Sequence, residues 1–513
     1  MSFPALTILS LLPVGAAVLM LLLPRANATL PRVTAGTLSL LILAYTLLLW
    51  LRFDSTCGTF QFEERHAWIT ALHVEYRLAI DGISLVMLLL TAIVIPIGIA
   101  ASWRTERRPS LYFALIFLLQ ATMFGTFTAL NFFHWFIFWE LSLIPAFFLI
   151  RLWGGKRAGR AATQFLVYTM VGSVTMLLSF LAIYVATGSF DFTELAGRGA
   201  GFLPAVAANL GWPYLTPGHL ALLIFAGTFL GFAVKVPLIP FHTWLPATYT
   251  EAPSGVTAIL TGAMSKMGVY GFLRILLPIF APQIRQLITP LLWLSVATIV
   301  LSVFAAFAQK DIKRIFAYSS INHLGYCLLA GFALVRTSNP ALLPEQYAAL
   351  SGILLQLLSH ALTAATIFWF ISLLEFRANG DRFLSDFGGL RRLAPVFAGL
   401  MGIALFSSLG LPGLNGFPAE FLIFKGTFPL VPWATSISVL GLLITAVFIL
   451  GVIQQVFTGP LHANRANFFD LTGAERCALA PAITLMFILG IYPQLVLSAL
   501  NRTVIAYMHQ LRF

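Results

Sequence analysis

Apolar stretches close to the ~20 residues a helix needs to cross ~30 Å of hydrocarbon recur roughly fourteen times along this chain. In hydrocarbon every backbone N–H and C=O must find its partner inside the segment or in a closed barrel, and runs this long leave only the helix. They lie at about 3–23, 33–52, 81–102, 110–129, 131–150, 161–187, 218–246, 254–279, 287–308, 314–335, 346–375, 396–424, 433–457 and 478–500. Composition agrees, since 59% of the 513 residues are hydrophobic and only 9% are charged. The expected fold is all-α, a single membrane domain over 1–513, with the two long stretches at about 218–246 and 396–424 broken inside the membrane.

The 30 Lys and Arg residues set the orientation. Eighteen of them, from Arg25 and Arg32 through Arg104, Arg107 and Arg108 to Arg465 and Arg476, fall in loops on one side; eight, among them Arg52, Arg198, Arg502 and Arg512, fall on the other. The positive-inside rule then places both termini outside. The net charge of +12 is a topology signal of this kind and gives no reason to expect nucleic acid as a partner. Residues 1–23 lack a basic leading segment and a small-residue cleavage site, so they read as a retained first helix. Of the two longer loops, both assigned outside, 53–80 has room for a β-hairpin and 187–217 carries no chemical motif.

Redox and nucleotide chemistry find no foothold. Cys57, Cys327 and Cys477 are far apart and form no CxxC, the His residues include no pair spaced for haem, and no Rossmann or Walker loop is present. No cofactor is expected in this chain, and energy for transport must come from an ion gradient or a partner.

What stands out against the apolar background is a set of ionisable groups inside it. Glu140, in NFFHWFIFWELSLIPAFFLI, and Lys235, in LLIFAGTFLGFAVKVPLIPF, lie mid-stretch, where insertion costs at least ~2.5–3.5 kcal/mol each. Lys266 and Glu420 repeat the situation, so two carboxylates and two ammonium groups are available for an ion or proton path. Prolines sharpen the case. Pro145 frees the carbonyl of Leu141 beside Glu140, and Pro237 and Pro240 free those of Ala233 and Val236 beside Lys235. Gly410, Pro412, Gly413, Gly416 and Pro418 crowd in front of Glu420. Two interrupted stretches in corresponding halves point to inverted five-helix repeats, at about 110–279 and 287–457, preceded by N-terminal helices in 1–109 and followed by a C-terminal helix at 478–500. Each group also has a structural reading: Glu140 paired with one Arg or hydroxyl, although Arg151 lies eleven residues away at the helix end, Lys235 capping freed carbonyls, Lys266 on a packing face of small residues, and His323 and His360 as satisfied core histidines.

These residues carry a resemblance. ELSLIPAFFLIRLWGG, AVKVPLIPFHTWLP followed by EAP, SKMGVYGFLR, QKDIKRIFAYSSINHLGY and GLPGLNGFPAEFLIF are similar to the antiporter-like proton-pumping membrane subunits of respiratory complex I, and among them to the chain M type of NADH:quinone oxidoreductase, chain 4 in mitochondria and plastids. The match runs in order over about residues 80–460. It implies fourteen helices with inverted repeats and a proton channel whose members are Glu140, Lys235, Lys266 and Glu420, with His242, His323 and His360 on the polar axis. It also implies a non-redox subunit of a translocating oxidoreductase, with other membrane subunits, including paralogous antiporter-like ones, as partners beside the lipid bilayer. Two departures stand in the motifs. After HTWLP the family usually reads DAHxEAP, whereas here Ala247, Thr248, Tyr249 and Thr250 precede Glu251, and SKMG replaces LKMG. The first departure leaves Glu251 as the remaining acid near the inner mouth.

The expected function is proton translocation within a complex I-type NAD(P)H or ferredoxin:quinone oxidoreductase. A subunit of a multi-subunit cation/proton antiporter or membrane-bound hydrogenase is the alternative on the same fold, and a structural linker with paired buried charges is a third reading. In size, a carboxylate about 4 Å from an ammonium at effective dielectric ~20 gains ~4 kcal/mol, and separation to ~8 Å halves it.

Overall fold

The computed structural model describes residues 3–24, 29–72, 74–198, 203 and 216–511; Arg25, Arg512 and most of the 187–217 loop lie outside them. Among the described residues twelve helices are long and apolar enough to cross a membrane, from Ala5–Leu22 to Gly473–Ile491, and Pro395–Ser408 is a shorter apolar one. Helix Ile312–Leu334 and the interrupted pair Pro395–Ser408 and Gly416–Leu430 occupy the two remaining expected stretches. Strands Gln61–Ile69 and Val74–Ile80 form an antiparallel hairpin, Glu64 opposite Leu78, in the loop with room for one. The buried Glu64 carboxylate accepts from the Leu6 backbone N–H at 2.6 Å, placing negative charge on the open donors at the start of the first helix.

Polar residues fix where helices begin. Asn131 accepts from the Phe133 N–H at 2.8 Å, Thr216 from the His219 N–H at 3.3 Å and Asp311 from the Lys313 N–H at 3.0 Å. Pro109, Pro217, Pro395 and Pro432 stand at first helical positions, where a missing N–H costs nothing. Because these helices are apolar all round, place in the bundle decides burial. Most of Pro340–Arg377 (94%) and Ser254–Gln286 (89%) is buried across the apolar stretch, against 28% for Thr29–Arg52, so the first two form the core and the last the rim. Leu22, Leu51 and Val185 are exposed there, as side chains facing lipid or a neighbouring subunit are.

The expected breaks are present and their chemistry differs in detail. Helix Pro217–Lys235 ends at Lys235 and the chain resumes as Trp244–Glu251. The Ala233 carbonyl is not free, however: the Leu238 N–H bonds it at 2.8 Å, and the Trp244 indole takes the Val234 carbonyl at 3.0 Å. The second break, 409–415, turns through Gly410 (φ +78°) and Gly413 (φ +92°), a left-handed backbone that a side chain disfavours. Asn415 pins it, donating to the Ser359 carbonyl at 3.0 Å and facing the Ser407 hydroxyl at 2.5 Å.

Three expected stretches are corrected. The one at 131–150 is bent at Ser142 into Phe132–Leu141 and Leu143–Trp153. That at 254–279 runs on to Gln286 through two π-helical turns, Leu260–Met264 and Phe272–Leu276. The C-terminal helix at 478–500 is two helices, Gly473–Ile491 and Gln494–Gln510, because Pro493 lacks the N–H to continue the first and pushes Tyr492 out of the helical region.

Candidate functional site

The core helices bring most of the intramembrane ionisable groups into one line. Lys235, at the end of its half-helix, is 2% exposed; its ammonium lies 4.6 Å from the Trp139 ring and donates to the Ser142 hydroxyl at 3.2 Å. Ser142 in turn donates to the Trp139 carbonyl at 2.6 Å, so the bend in the Glu140 stretch is what presents a hydroxyl to the lysine. Glu140 is half-buried in the last turn of Phe132–Leu141, with Ser173 beside it and its Oε1 without a hydrogen-bond partner in the protein. The Trp139 indole also donates to Ser173 Oγ, at 3.0 Å. Glu140 and Lys235 therefore converge on Trp139, Ser142 and Ser173 without forming a direct ion pair. Arg151 lies over Phe147 at 5.7 Å, so of an Arg or a hydroxyl it is the Ser173 hydroxyl that stands beside the carboxylate.

Lys266 is fully buried, and no carboxylate touches it. Its ammonium bonds the Thr261 carbonyl and lies 2.7 Å from His360 Nδ1, which must accept because an ammonium only donates. The His360 ring stands 5.0 Å from the His323 ring. His323 Nδ1 faces the Ser319 carbonyl at 2.7 Å, and Nε2 faces the Ser408 carbonyl at 3.2 Å and Glu420 Oε1 at 3.3 Å. Oxygen atoms face both ring nitrogens, so a proton on either one has an acceptor in place. Glu420 packs against Gly410, where a side chain would collide with its Oε2. A small cavity with room for about one water lies among His323, His360, Ser408 and Glu420. The run Lys266, His360, His323, Glu420 is thus continuous at hydrogen-bond or ring-contact distances. His242 stands apart: it lies in the break after Lys235, half-buried, with its ring 6.3 Å from Tyr318 and Nδ1 unpartnered.

Sequence reading missed several partners. Ser142, Ser173, Ser319 and Ser408 enter through hydroxyl or carbonyl contacts between helices, which no single stretch displays. It also missed the buried pair Arg274 and Asp81, 2.5 Å apart and joined by Ser84 and Tyr270. The two charges lie at or near the ends of apolar stretches far apart in the chain, and nothing in either stretch says that they meet.

On the Arg- and Lys-rich face a cleft of about 1100 Å³ opens among Arg157, Arg160, Glu251, Asp311, Arg314 and Arg382. Glu251 Oε2 accepts from the Arg157 backbone N–H at 2.9 Å. Burial pushes the Asp311 carboxyl up from its ordinary value, and Arg382 at 2.8 Å opposes that shift. Behind the cleft the buried Lys313 donates to the Ala252 carbonyl at 2.5 Å and lies 3.8 Å from Glu375.

A bundle of membrane-crossing helices with two interrupted members and a buried line of lysine, histidine and glutamate defines an antiporter-like membrane subunit. The sequence profile described as NADH:quinone oxidoreductase/Mrp antiporter, TM, matches residues 129–447, and the chain belongs to that family. It is 34% identical to NADH-quinone oxidoreductase subunit M of Rhodobacter capsulatus over 97% of this chain and 95% of the relative. It is 35% identical to F(420)H(2) dehydrogenase subunit M of Methanosarcina mazei over 90% and 89%. A chain of respiratory complex I from Thermus thermophilus superposes with a TM-score of 0.84 at 28% identity, covering 99% of both chains.

Proposed function

We propose that this chain is the proton-translocating subunit of a complex I-type oxidoreductase, moving protons along Glu140, Lys235, Lys266, His360, His323 and Glu420. The observation that carries this reading is the unbroken run from Lys266 to Glu420. Uncompensated ions are expensive at this depth, and a chain that only needed packing would fill these positions with apolar residues. Glu140 sits near the rim, with Leu141, Ile144 and Phe148 exposed beside it, so a paralogous membrane subunit docked there would extend the line into its own. The two interrupted stretches support inverted repeats around a midplane site. The Arg- and Lys-rich loops support a cytoplasmic or stromal cleft and termini on the opposite side of a bacterial inner or thylakoid membrane. Electrons are handled by partner subunits, and no cofactor is assigned to this chain.

The test uses the assembled complex in liposomes. Lys235→Met and Glu140→Gln are expected to assemble and to lose most of the protons moved per electron; unchanged ratios in assembled complex would reject the reading. The family description also covers cation/proton antiporters, and Na⁺ flux that persists without electron transfer would favour that alternative.

A further inference from the structure

The line has one gap, between Lys266 and Lys235. What fills it is a set of hydroxyls. Helix Ser254–Gln286 places Ser254, Thr257, Thr261 and Ser265 three or four residues apart, on one face that leads to Lys266. Its π-helical turn Leu260–Met264 shifts the bonding so that the Ser265 N–H takes the Leu260 carbonyl at 3.0 Å. The Thr261 carbonyl is thereby available to the Ser265 hydroxyl, at 3.0 Å, and to the Lys266 ammonium. Facing this turn, the fully buried Tyr249 brings its phenol to the Thr261 and Ser265 hydroxyls. Tyr249, Ser265 and Lys235 line one small cavity with room for about one water.

We infer that Tyr249 and Ser265 relay protons between Lys266 and Lys235, a water in that cavity completing the link. The inference rests on the axis reading above. Tyr249 stands where the family motif has His and Ser265 where it has Leu, so the two departures meet in space and compensate each other. The step balances without a charged intermediate on oxygen. Lys266 leaves the Thr261 carbonyl for the Ser265 hydroxyl, 3.5 Å away, and one of its N–H bonds breaks as Ser265 gains that proton and passes its own to the phenol. The phenol passes its own to the water, and the water to the neutral amine of Lys235, where an N–H bond forms. Each hydroxyl gives one proton and takes one. Resetting the chain requires only that the hydroxyls rotate back.

Tyr249→Phe deletes the hydroxyl and nothing else. In the assembled complex in liposomes it should pump at least tenfold more slowly than wild type, and Tyr249→His, which supplies a donor and an acceptor again, should recover at least half of the wild-type rate. Ser265→Ala reads the same step independently should Tyr249→Phe fail to assemble. Normal pumping by Tyr249→Phe or by Ser265→Ala, alongside its loss in Lys266→Met, overturns the relay and leaves the axis standing. Normal pumping by Lys266→Met overturns both. A defect in Tyr249→Phe that Tyr249→His does not recover marks the hydroxyl as a fixed hydrogen-bonding group and not a proton carrier, and also overturns the relay.

Discussion

Replacing Glu420 with Gln removes one negative charge and almost no volume. His323 Nε2 lies 3.3 Å from its Oε1, so at effective dielectric ~20 the carboxylate favours a positive ring by about 5 kcal/mol. Desolvation of the carboxylate itself offsets part of this, leaving roughly 2–3 kcal/mol, or about fiftyfold in the rate of any step that must place a proton on His323. The ring should stay where it is, because the Ser319 and Ser408 carbonyls hold both nitrogens without Glu420. The assay is proton uptake or release by assembled complex in liposomes, followed with a pH-sensitive dye alongside electron transfer. Glu420→Gln is expected to lower coupled pumping about fiftyfold, with Glu420→Asp in between because its shorter side chain retreats from the ring. Pumping by assembled Glu420→Gln within twofold of wild type would refute the assignment of His323 and Glu420 as a working pair.

Gly410→Ala should reduce both stability and pumping, since φ +78° costs a side chain about 1–2 kcal/mol and its Cβ would displace the Glu420 carboxylate; thermal unfolding and the pumping assay read the two effects separately. Asp81→Asn leaves the Arg274 charge buried without its partner and should lower the amount of assembled complex, by about 3–5 kcal/mol of stability, without a selective loss of protons per electron in what assembles. Glu251→Gln keeps an acceptor for the Arg157 N–H, so the local turn should hold, while pumping should fall several-fold between about pH 6 and 8 if this carboxylate takes protons from the cleft; rates within error of wild type would make it a capping group only.

The membrane class, the hairpin and both helix breaks were legible because each follows from a local rule: length of apolar run, turn room, proline and glycine. Glu140, Lys235, Lys266 and Glu420 were legible for a related reason, since a charge inside an apolar run is visible without knowing its neighbours. Which groups touch was not. Glu140 and Lys235 are two charges of opposite sign inside apolar runs, and it is the bend at Ser142 that sets a hydroxyl and the Trp139 ring before the ammonium. The small residues around Lys266 named no partner for it, and it rests on a backbone carbonyl and a histidine. Such contacts depend on helix rotation and on the π-helical turn at Leu260–Met264, neither of which a hydrophobic period in an all-apolar helix can set. His242 had the same sequence credentials as His323, but a place in the broken segment leaves its ring outside the contacts that join the others.

The geometry also bounds what this chain does alone. Moving one charge against a membrane potential near 200 mV costs ~4.6 kcal/mol. The His323–Glu420 contact is worth about 5 kcal/mol before desolvation and roughly half that after it, so making and breaking that pair once covers only part of the work. Glu140, half-buried with an unpartnered oxygen and exposed apolar side chains around it, is the group most open to influence from outside the chain. A charge brought near it by a neighbouring subunit would act on Lys235 across Trp139 and Ser142, then on Lys266 across the hydroxyls, and so reach Glu420 through the histidines. On this account the remainder of the driving energy enters at Glu140, and removing that carboxylate should uncouple the line from its partners while leaving the Lys266 to Glu420 contacts intact.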